Sequence, residues 1–315
     1  LILKERGESL ELLQLEALHS RIPSNHRKKE AIQTDLIKLK RGIKGEKEID
    51  YPLTFLDESY SILHNVRISD DNGYFQLDTL IITTYYILIL EVKNWYGTIV
   101  FGQNGQVTRI DDDSREEGFP NPVPQVKLQR FRLQRWLLKH NYQNIPIKFL
   151  VVISSPSTII KSLSPNHTIP GEVVHNNDLF FQIREIEKTA AINKRDTNRL
   201  CKHLVSVHTP SSINLLDKYE LTKDDLIKGV ICERCSDLPM IRQRKRWWCP
   251  NCGHESLHAH VKTLHDYRVL FGSIISNREA RAFLHVDSPY VVKHLLQKEK
   301  YKYVGNTSSR KYFLE

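Results

Sequence analysis

The chain has 315 residues, 40% of them hydrophobic and 26% charged, with a formal net charge of +9. That is enough apolar sequence for two or three folded domains and excludes wholesale disorder. No run approaches the roughly 18 apolar residues that a membrane span needs, and no signal-like stretch opens the chain, so the expectation is a cytoplasmic protein with no membrane partner.

Taken in chain order, Leu and Ile at helical spacing predict helices over Glu8 to Ile22 and His26 to Phe55, separated at Pro23, with Pro52 kinking or ending the second. Residues 1–37 are set apart as an N-terminal helical arm. Strands follow at Ser59 to Ile68, Tyr74 to Thr83 and Tyr85 to Trp95, joined by the Asp70-Asp71-Asn72-Gly73 turn and a tight break at Thr83-Thr84. Shorter strands at Thr98 to Phe101 and Gln106 to Ile110 flank a Gln103-Asn104-Gly105 hairpin signal, and Asp111 to Gly118 reads as an acidic loop. Pro122 to His140 forms a helix, Lys148 to Ser154 a buried strand, Ser155 to Pro170 a Ser- and Pro-rich loop, and Gly171 to His175 an edge strand. Helices near Asn177 to Lys188 and Lys194 to His208 lead to a Thr209-Pro210-Ser211-Ser212 connector. Helix, three strands, helix and strand predict an α/β layer with a mixed sheet over residues 38–220.

Leu88-Ile89-Leu90-Glu91-Val92-Lys93 puts an acid and a base at the end of an otherwise apolar strand. Residues two apart share a face, so Glu91 and Lys93 are aimed together while Val92 packs the other way. Phe75-Gln76-Leu77-Asp78-Thr79-Leu80 carries an equally isolated acid, and a hairpin through Thr83-Thr84 sets Asp78 opposite or diagonal to Glu91. Two adjacent carboxylates are unfavourable unless a cation separates them. Oxygen donors on a rigid sheet suit Mg²⁺, or Mn²⁺ in its place, which makes Asp78 and Glu91 candidate ligands. Lys93 is then placed to orient or deprotonate water and to neutralise a phosphoryl transition state. Gly42-Ile43-Lys44-Gly45-Glu46 offers two glycines for close helix approach and, in Glu46, a further carboxylate. Taken alone, the Glu-x-Lys pair also fits a structural ion pair, and Glu46 a solvated helix residue.

Gly42-x-x-Gly45-Glu46, the Phe75 to Asp78 strand, Glu91-Val92-Lys93-Asn94 and Asn121-Pro122-x-x-Gln125 together resemble the NERD (nuclease-related) domain, over about residues 38 to 155. That family is placed among the PD-(D/E)xK nucleases. The resemblance implies a restriction-endonuclease-like mixed sheet flanked by helices. It also implies a divalent-metal site in which Asp78 and Glu91 bind metal, Lys93 serves the water, and Glu46 and Gln125 assist. The chain departs from the pattern in having Gln76-Leu77 where a Pro is loosely kept before the acid. Gln125, in the first turn of its helix, also fits a capping or solvated amide, and Lys127 and Gln129 read as solvated helix face.

The basic surplus lies towards the C-terminus: Leu221 to Glu315 holds 17 Lys and Arg against 10 Asp and Glu, and the rest of the chain 29 against 27. A concentrated positive segment attracts phosphate polymers. Four of the five cysteines form Cys232-x₂-Cys235 and Cys249-x₂-Cys252 with 13 residues between the pairs. Two thiolate knuckles satisfy tetrahedral Zn²⁺ with no open position, which predicts a structural ion and a four-Cys zinc ribbon over residues 226–256. His254 replaces a cysteine only if the knuckle shifts, and Cys201 reads as a buried, inert thiol. Arg242, Arg244, Lys245 and Arg246 precede Trp247-Trp248, a mixture suited to phosphate neutralisation and base stacking, although the tryptophans equally suit covering the zinc hairpin.

Residues 257–315 read as three short helices and a basic hairpin. Ser276-Asn277-Arg278-Glu279 is a capping box, Asp287-Ser288-Pro289 opens a helix through Lys298, and Tyr301 to Val304 pairs with Arg310 to Leu314 across Gly305-Asn306-Thr307-Ser308-Ser309. The pattern resembles a winged helix-turn-helix in which Tyr290, Lys293 and His294 face the major groove and Lys302 and Arg310 the phosphates. A protein-contact module or small helical cap shares it. The expectation is a Mg²⁺-dependent nuclease acting on nucleic acid, DNA foremost, with the C-terminal modules as its grip. The alternative is a catalytically silent nucleic-acid-binding or regulatory protein that keeps the nuclease fold as scaffold. A homo-oligomer is left open.

Overall fold

The computed structural model describes residues 1–102, 105–142, 145–163, 168–189, 196–306 and 309–315. Gln103 and Asn104 of the expected hairpin, the start of the helix expected from Lys194, and Thr307-Ser308 of the C-terminal turn lie outside the described residues. Contacts divide the chain into two compact units, Leu1–Glu8 with Lys40–Ser211, and Ser9–Leu39 with Ser212–Glu315.

The chain opens with β1 (Ile2–Lys4), α1 (Leu10–Arg21), α2 (Lys29–Glu48) and a single turn, α3 (Asp50–Leu53). The long helix expected to Phe55 therefore breaks at Ile49, and Pro52 sits in the short turn beyond. β2 (Ser61–Asp70), β3 (Gly73–Ile82) and β4 (Ile87–Lys93) follow, then β5 (Thr98–Phe101), β6 (Gln106–Ile110) and β7 (Glu116–Pro120). After them come α4 (Pro122–Lys139), β8 (Ile147–Ile153), β9 (Ile159–Ser162), β10 (Val173–His175), α5 (Leu179–Lys188) and α6 (Asn198–Val207).

The main sheet of the first unit has the order β1-β2-β3-β4-β8-β10. β2, β3 and β4 pair antiparallel, whereas β4 with β8, β8 with β10 and β1 with β2 pair parallel. This is the mixed sheet of an α/β fold, as expected. Apolar clusters cover both faces, one gathering Leu77, Ile89, Val151, Trp136 and Leu204, the other Leu88, Leu90, Val152, Leu179 and Ile183. Burial on both faces accounts for the unalternating apolar run of β4. A smaller sheet, β7-β6-β5-β9, includes two strands in segments expected as loops. β7 is largely exposed and is held by its backbone ladder to β6, so its sequence lacks apolar alternation.

In the second unit, α1 and the first part of α2 are core. Leu15, Leu18, Ile32 and Leu36 share a cluster with Leu215, Tyr219, Val269 and Leu270, so these helices are not a separate arm. Arg21 is fully buried and donates to Asp266 Oδ2 at 2.9 and 3.0 Å. After α7 (Leu215–Tyr219) come β11 (Ile241–Gln243), β12 (Arg246–Trp248) and β13 (Glu255–Ser256), a three-stranded antiparallel sheet. α8 (Ala259–Phe271), β14 (Ile274–Ser276), α9 (Asn277–Leu284), α10 (Pro289–Lys298), β15 (Lys302–Val304) and β16 (Lys311–Phe313) complete the chain. The last strand pairs between the other two, in the order β14-β16-β15, which is winged-helix connectivity. One cluster joins Cys232, Met240, Trp247 and Cys249 to Leu264, Phe283 and Leu295, so the cysteine segment and the helical region share a core. Among the described residues no helix is long and apolar enough to cross a membrane.

Candidate active site

The β3–β4 ladder runs from Ile82 opposite Ile87 to Thr79 opposite Leu90. The ladder stops there, and its register carried one step further sets Asp78 opposite Glu91. Asp78 Oδ2 accepts from the Val92 amide at 3.0 Å. Glu91 is 2% exposed, and its Oε1 accepts from Lys93 Nζ and from Gln125 Nε2, both at 2.7 Å. Lys93 Nζ also donates to Gln125 Oε1 at 3.3 Å. Asn121 caps α4 by accepting from Val123 N at 2.9 Å, which starts the helix over the strand ends and sets Gln125 in its first turn.

Gln129, expected on the solvated face, is instead part of this network. Its Nε2 donates to Glu91 Oε2 at 3.0 Å and to Gln76 O at 3.1 Å. Its spacing of four from Gln125 is the signal that could have found it, since residues i and i+4 lie on one helix stripe. Lys127 is exposed, as expected.

Glu46 reaches the same region from the last turn of α2. Gly45 makes this approach possible: a Cβ there would meet Asn94 Cβ at 2.4 Å and Ser154 Oγ at 2.7 Å. Asn94 Nδ2 donates to Arg41 O at 2.8 Å across the same contact. A Cβ at Gly42 would meet nothing within 4 Å, so that glycine is not needed for the approach. Glu46 Oε2 faces Arg6 Nη1 at 3.2 Å. Arg6 also reaches Asp50 Oδ1 at 3.0 Å, Thr79 Oγ1 at 3.1 Å and Asn65 Oδ1 at 3.3 Å. Nothing in the sequence marks Arg6, which lies 40 residues from Glu46.

The electrostatics follow from this crowding. Burial, then the Glu91 and Glu46 carboxylates, hold the Asp78 carboxyl well above the usual carboxylate range, against the Val92 amide and Lys93. Asp78 nevertheless keeps part of its surface in solvent. Burial also pushes Glu46 up, opposed by Arg6. His64, 2% exposed with Nδ1 3.0 Å from Thr79 Oγ1, is lowered to about 4 by burial and then by Arg6, so it is neutral at pH 7. Glu91, Lys93, Gln125 and Gln129 are thus bonded together at the end of β4 under the start of α4, with Asp78 of the middle of β3 and Glu46 of the last turn of α2 close enough to act on one another electrostatically.

Residues 41–154 match the nuclease-related domain, NERD. The match spans the end of α2 through β8, the elements that gather these side chains. Neither curated proteins nor solved structures match the chain.

The cysteines form a tighter cluster than the NERD carboxylates. Cys232 and Cys252 sulfurs are 3.6 Å apart, as are those of Cys235 and Cys249, and all four lie within 4.8 Å of one another. Zn–S bonds of about 2.3 Å in a tetrahedron put sulfurs roughly 3.8 Å apart, whereas a disulfide needs about 2.05 Å. The four thiols therefore fit Zn²⁺. Among the described residues this is the one group of three or more His, Cys, Asp or Glu donors so close together. His254 Nε2 lies 3.8 Å from Glu233 Oε2, outside the cluster. Cys201 is 1% exposed, and burial raises its thiol pKa.

Of the basic candidates, Arg244 and Lys245 form the exposed turn between β11 and β12, with φ of 44° and 69°. Arg246 is exposed and pairs with Glu255 at 3.1 Å. Arg242 lies 4.9 Å from the centre of the Trp247 ring and is half-buried. Trp247 is 1% exposed and donates to His260 Nδ1 at 3.2 Å, so it packs the core. Tyr290, Lys293 and His294 are exposed on α10. Tyr290 and Lys293 line one groove with Arg310, with Arg278 of the capping box and with Arg281, which no sequence motif singles out, while Lys302 lines a different concavity.

Proposed function

We propose that the NERD domain hydrolyses phosphodiester bonds in nucleic acid, DNA foremost, with a divalent metal, and that the second unit binds the nucleic acid. The observation carrying this reading is that Glu91, Lys93 and Gln125 form one hydrogen-bonded group at the end of β4, while Asp78 of β3 accepts from the Val92 amide between them and feels the charges of Glu91 and Lys93. Asp78 and Glu91 are the candidate ligands for Mg²⁺ or Mn²⁺. The Asp78 carboxyl, raised first by burial and then by two neighbouring acids, fits such an ion, because a cation relieves the part of the shift that comes from repulsion. Mg²⁺ is typically held by one or two carboxylates and keeps several waters, so this pair suffices.

A bound ion supplies charge stabilisation at the phosphate and a more acidic water. The chain's own groups do the rest. Lys93, moved from Glu91 towards substrate, positions the attacking water and neutralises charge on the phosphoryl oxygens. Gln125, bonded to both Glu91 and Lys93, orients the pair, and Gln129 holds the second Glu91 oxygen. Glu46 adds negative charge beside Asp78 while Arg6 fixes its direction. In the second unit the four cysteines hold a structural Zn²⁺, and Arg244, Lys245, Tyr290, Lys293, His294, Lys302 and Arg310 are candidate nucleic-acid contacts.

The test is incubation of the purified, zinc-loaded chain with single- and double-stranded DNA and RNA, with Mg²⁺, with Mn²⁺ or without either. Metal-dependent cleavage that falls by about 10²–10⁴-fold in Lys93→Ala, with binding retained, is the expected result. A second reading, the catalytically silent scaffold, is favoured by one observation: both Glu91 oxygens already have protein partners. Nucleic-acid binding without cleavage under every metal condition selects it.

A further inference from the structure

The start of α9, the start of α10 and the segment entering β16 enclose a groove of about 650 Å³. Four cations line it, Arg278 and Arg281 from α9, Lys293 from α10, and Arg310. No carboxylate is part of the lining, and none of the four forms an ion pair among the described residues. The nearby acid Glu279 is engaged at the α9 cap, accepting from Ser276 N and Oγ at 2.9 and 2.7 Å. Arg281 is steadied by donating to Asp287 O at 3.1 Å, and Arg310 by stacking 4.2 Å from the Tyr303 ring centre. The Nε donors of both arginines are buried without a partner. Four like charges around one concavity are unfavourable until an anion enters.

The shape selects among anions. A phosphodiester inside a strand carries one charge and continues on both sides, which suits an open surface. A phosphomonoester carries nearly two charges at neutral pH and presents three terminal oxygens, which suits donors converging from three elements. Tyr290, 82% exposed at the groove's edge, offers a ring for base stacking. The volume also falls in the range of small-molecule sites. We infer that this groove binds a phosphomonoester borne by a nucleotide, either the phosphorylated end of a strand or a free nucleotide. The inference deepens the nucleic-acid-binding reading of the second unit and is independent of cleavage by the NERD domain.

The experiment measures binding of labelled oligonucleotides to the zinc-loaded chain without added Mg²⁺ or Mn²⁺. Strands with 5′-phosphate, 3′-phosphate or hydroxyl ends are compared, with AMP and inorganic phosphate as competitors. A phosphorylated end bound at least about tenfold more tightly than a hydroxyl end identifies strand ends as the ligand. Competition by AMP without an end preference identifies a free nucleotide. Either effect is expected to disappear in the exposed double variant Arg278→Gln/Lys293→Gln, and the loss of stacking in Tyr290→Ala weakens AMP more than phosphate. Equal affinity for all ends together with no competition by AMP overturns the inference, as does an end preference unchanged in the double variant. The preference persists in Lys93→Ala, so failure of the groove and failure of the nuclease reading are read separately.

Discussion

Asp78 carries the sharpest conflict between stability and chemistry in the molecule. Its carboxyl is held above the ordinary range by burial and by two neighbouring acids, so its ionisation opposes folding. The sign follows from linkage: the penalty is absent below the ordinary carboxylate range, accumulates as pH rises from there to the raised value, and is complete above it. Asp78→Asn removes the charge but keeps an oxygen for the Val92 amide. It is expected to raise the melting temperature at pH 7 by a few degrees, roughly 2–4 °C per kcal/mol for a domain of this size, with the gain shrinking towards pH 4. On the proposed nuclease reading, the same variant is also expected to lose cleavage. An unchanged or lower melting temperature at pH 7 removes the case for carboxylate crowding. Asp78, Glu91 and Lys93 were legible because an ionic residue in an apolar strand stands out. Arg6 and Gln129 were not, because one is brought in by a distant strand and the other looks like any polar helix residue.

At the scale of elements, the two glycines of α2 separate cleanly. Gly45 allows the helix to lie against Asn94 and Ser154, so Gly45→Ala is expected to cost about 1–3 kcal/mol by overpacking and to displace Glu46. Gly42 is exposed in the same helix with open space around it, so Gly42→Ala is expected to stabilise by up to about 1 kcal/mol. Urea denaturation of the two variants checks the opposite signs. α1 shows the same dependence on context. Its apolar spacing predicted the helix, but the residue that anchors it is Arg21, whose guanidinium is bonded to Asp266, Ile227 O and Gly229 O. Arg21→Met strands a buried carboxylate that burial already pushes up, and is expected to cost about 3–5 kcal/mol by the same measurement. β7 and β9 left no sequence signal because their pairing, and not their side chains, makes them strands.

For the whole molecule, the consequential feature is that each unit draws on two separate stretches of chain. The cysteine cluster and the winged-helix region share one apolar core that includes Cys232, Cys249, Trp247 and Phe283. A Zn²⁺ held by this cluster would then stabilise more than its own ribbon. Cys249→Ser, or removal of zinc by a strong chelator, is expected to abolish the thermal transition of the second unit and leave that of the first in place, as read by calorimetry. Loss of nucleic-acid binding accompanies it, and restoration by added Zn²⁺ distinguishes metal loss from irreversible damage. Retention of both transitions after complete zinc removal rejects a structural ion.

By itself the sequence determined the α/β character of the NERD region, the β3–β4 hairpin that brings Asp78 opposite or diagonal to Glu91, and the four-cysteine pattern. Each of these is set by local spacing: two residues per strand pleat, a tight turn, or two short knuckles. Only the tertiary structure decided which side chains complete the sites, bringing Arg6 to Glu46, Gln129 to Glu91, Arg21 to Asp266, and Arg278 and Arg281 to the groove with Arg310. Those partners are tens to hundreds of residues apart or hidden among ordinary polar positions, and charge complementarity over such separations leaves no periodic trace along the chain.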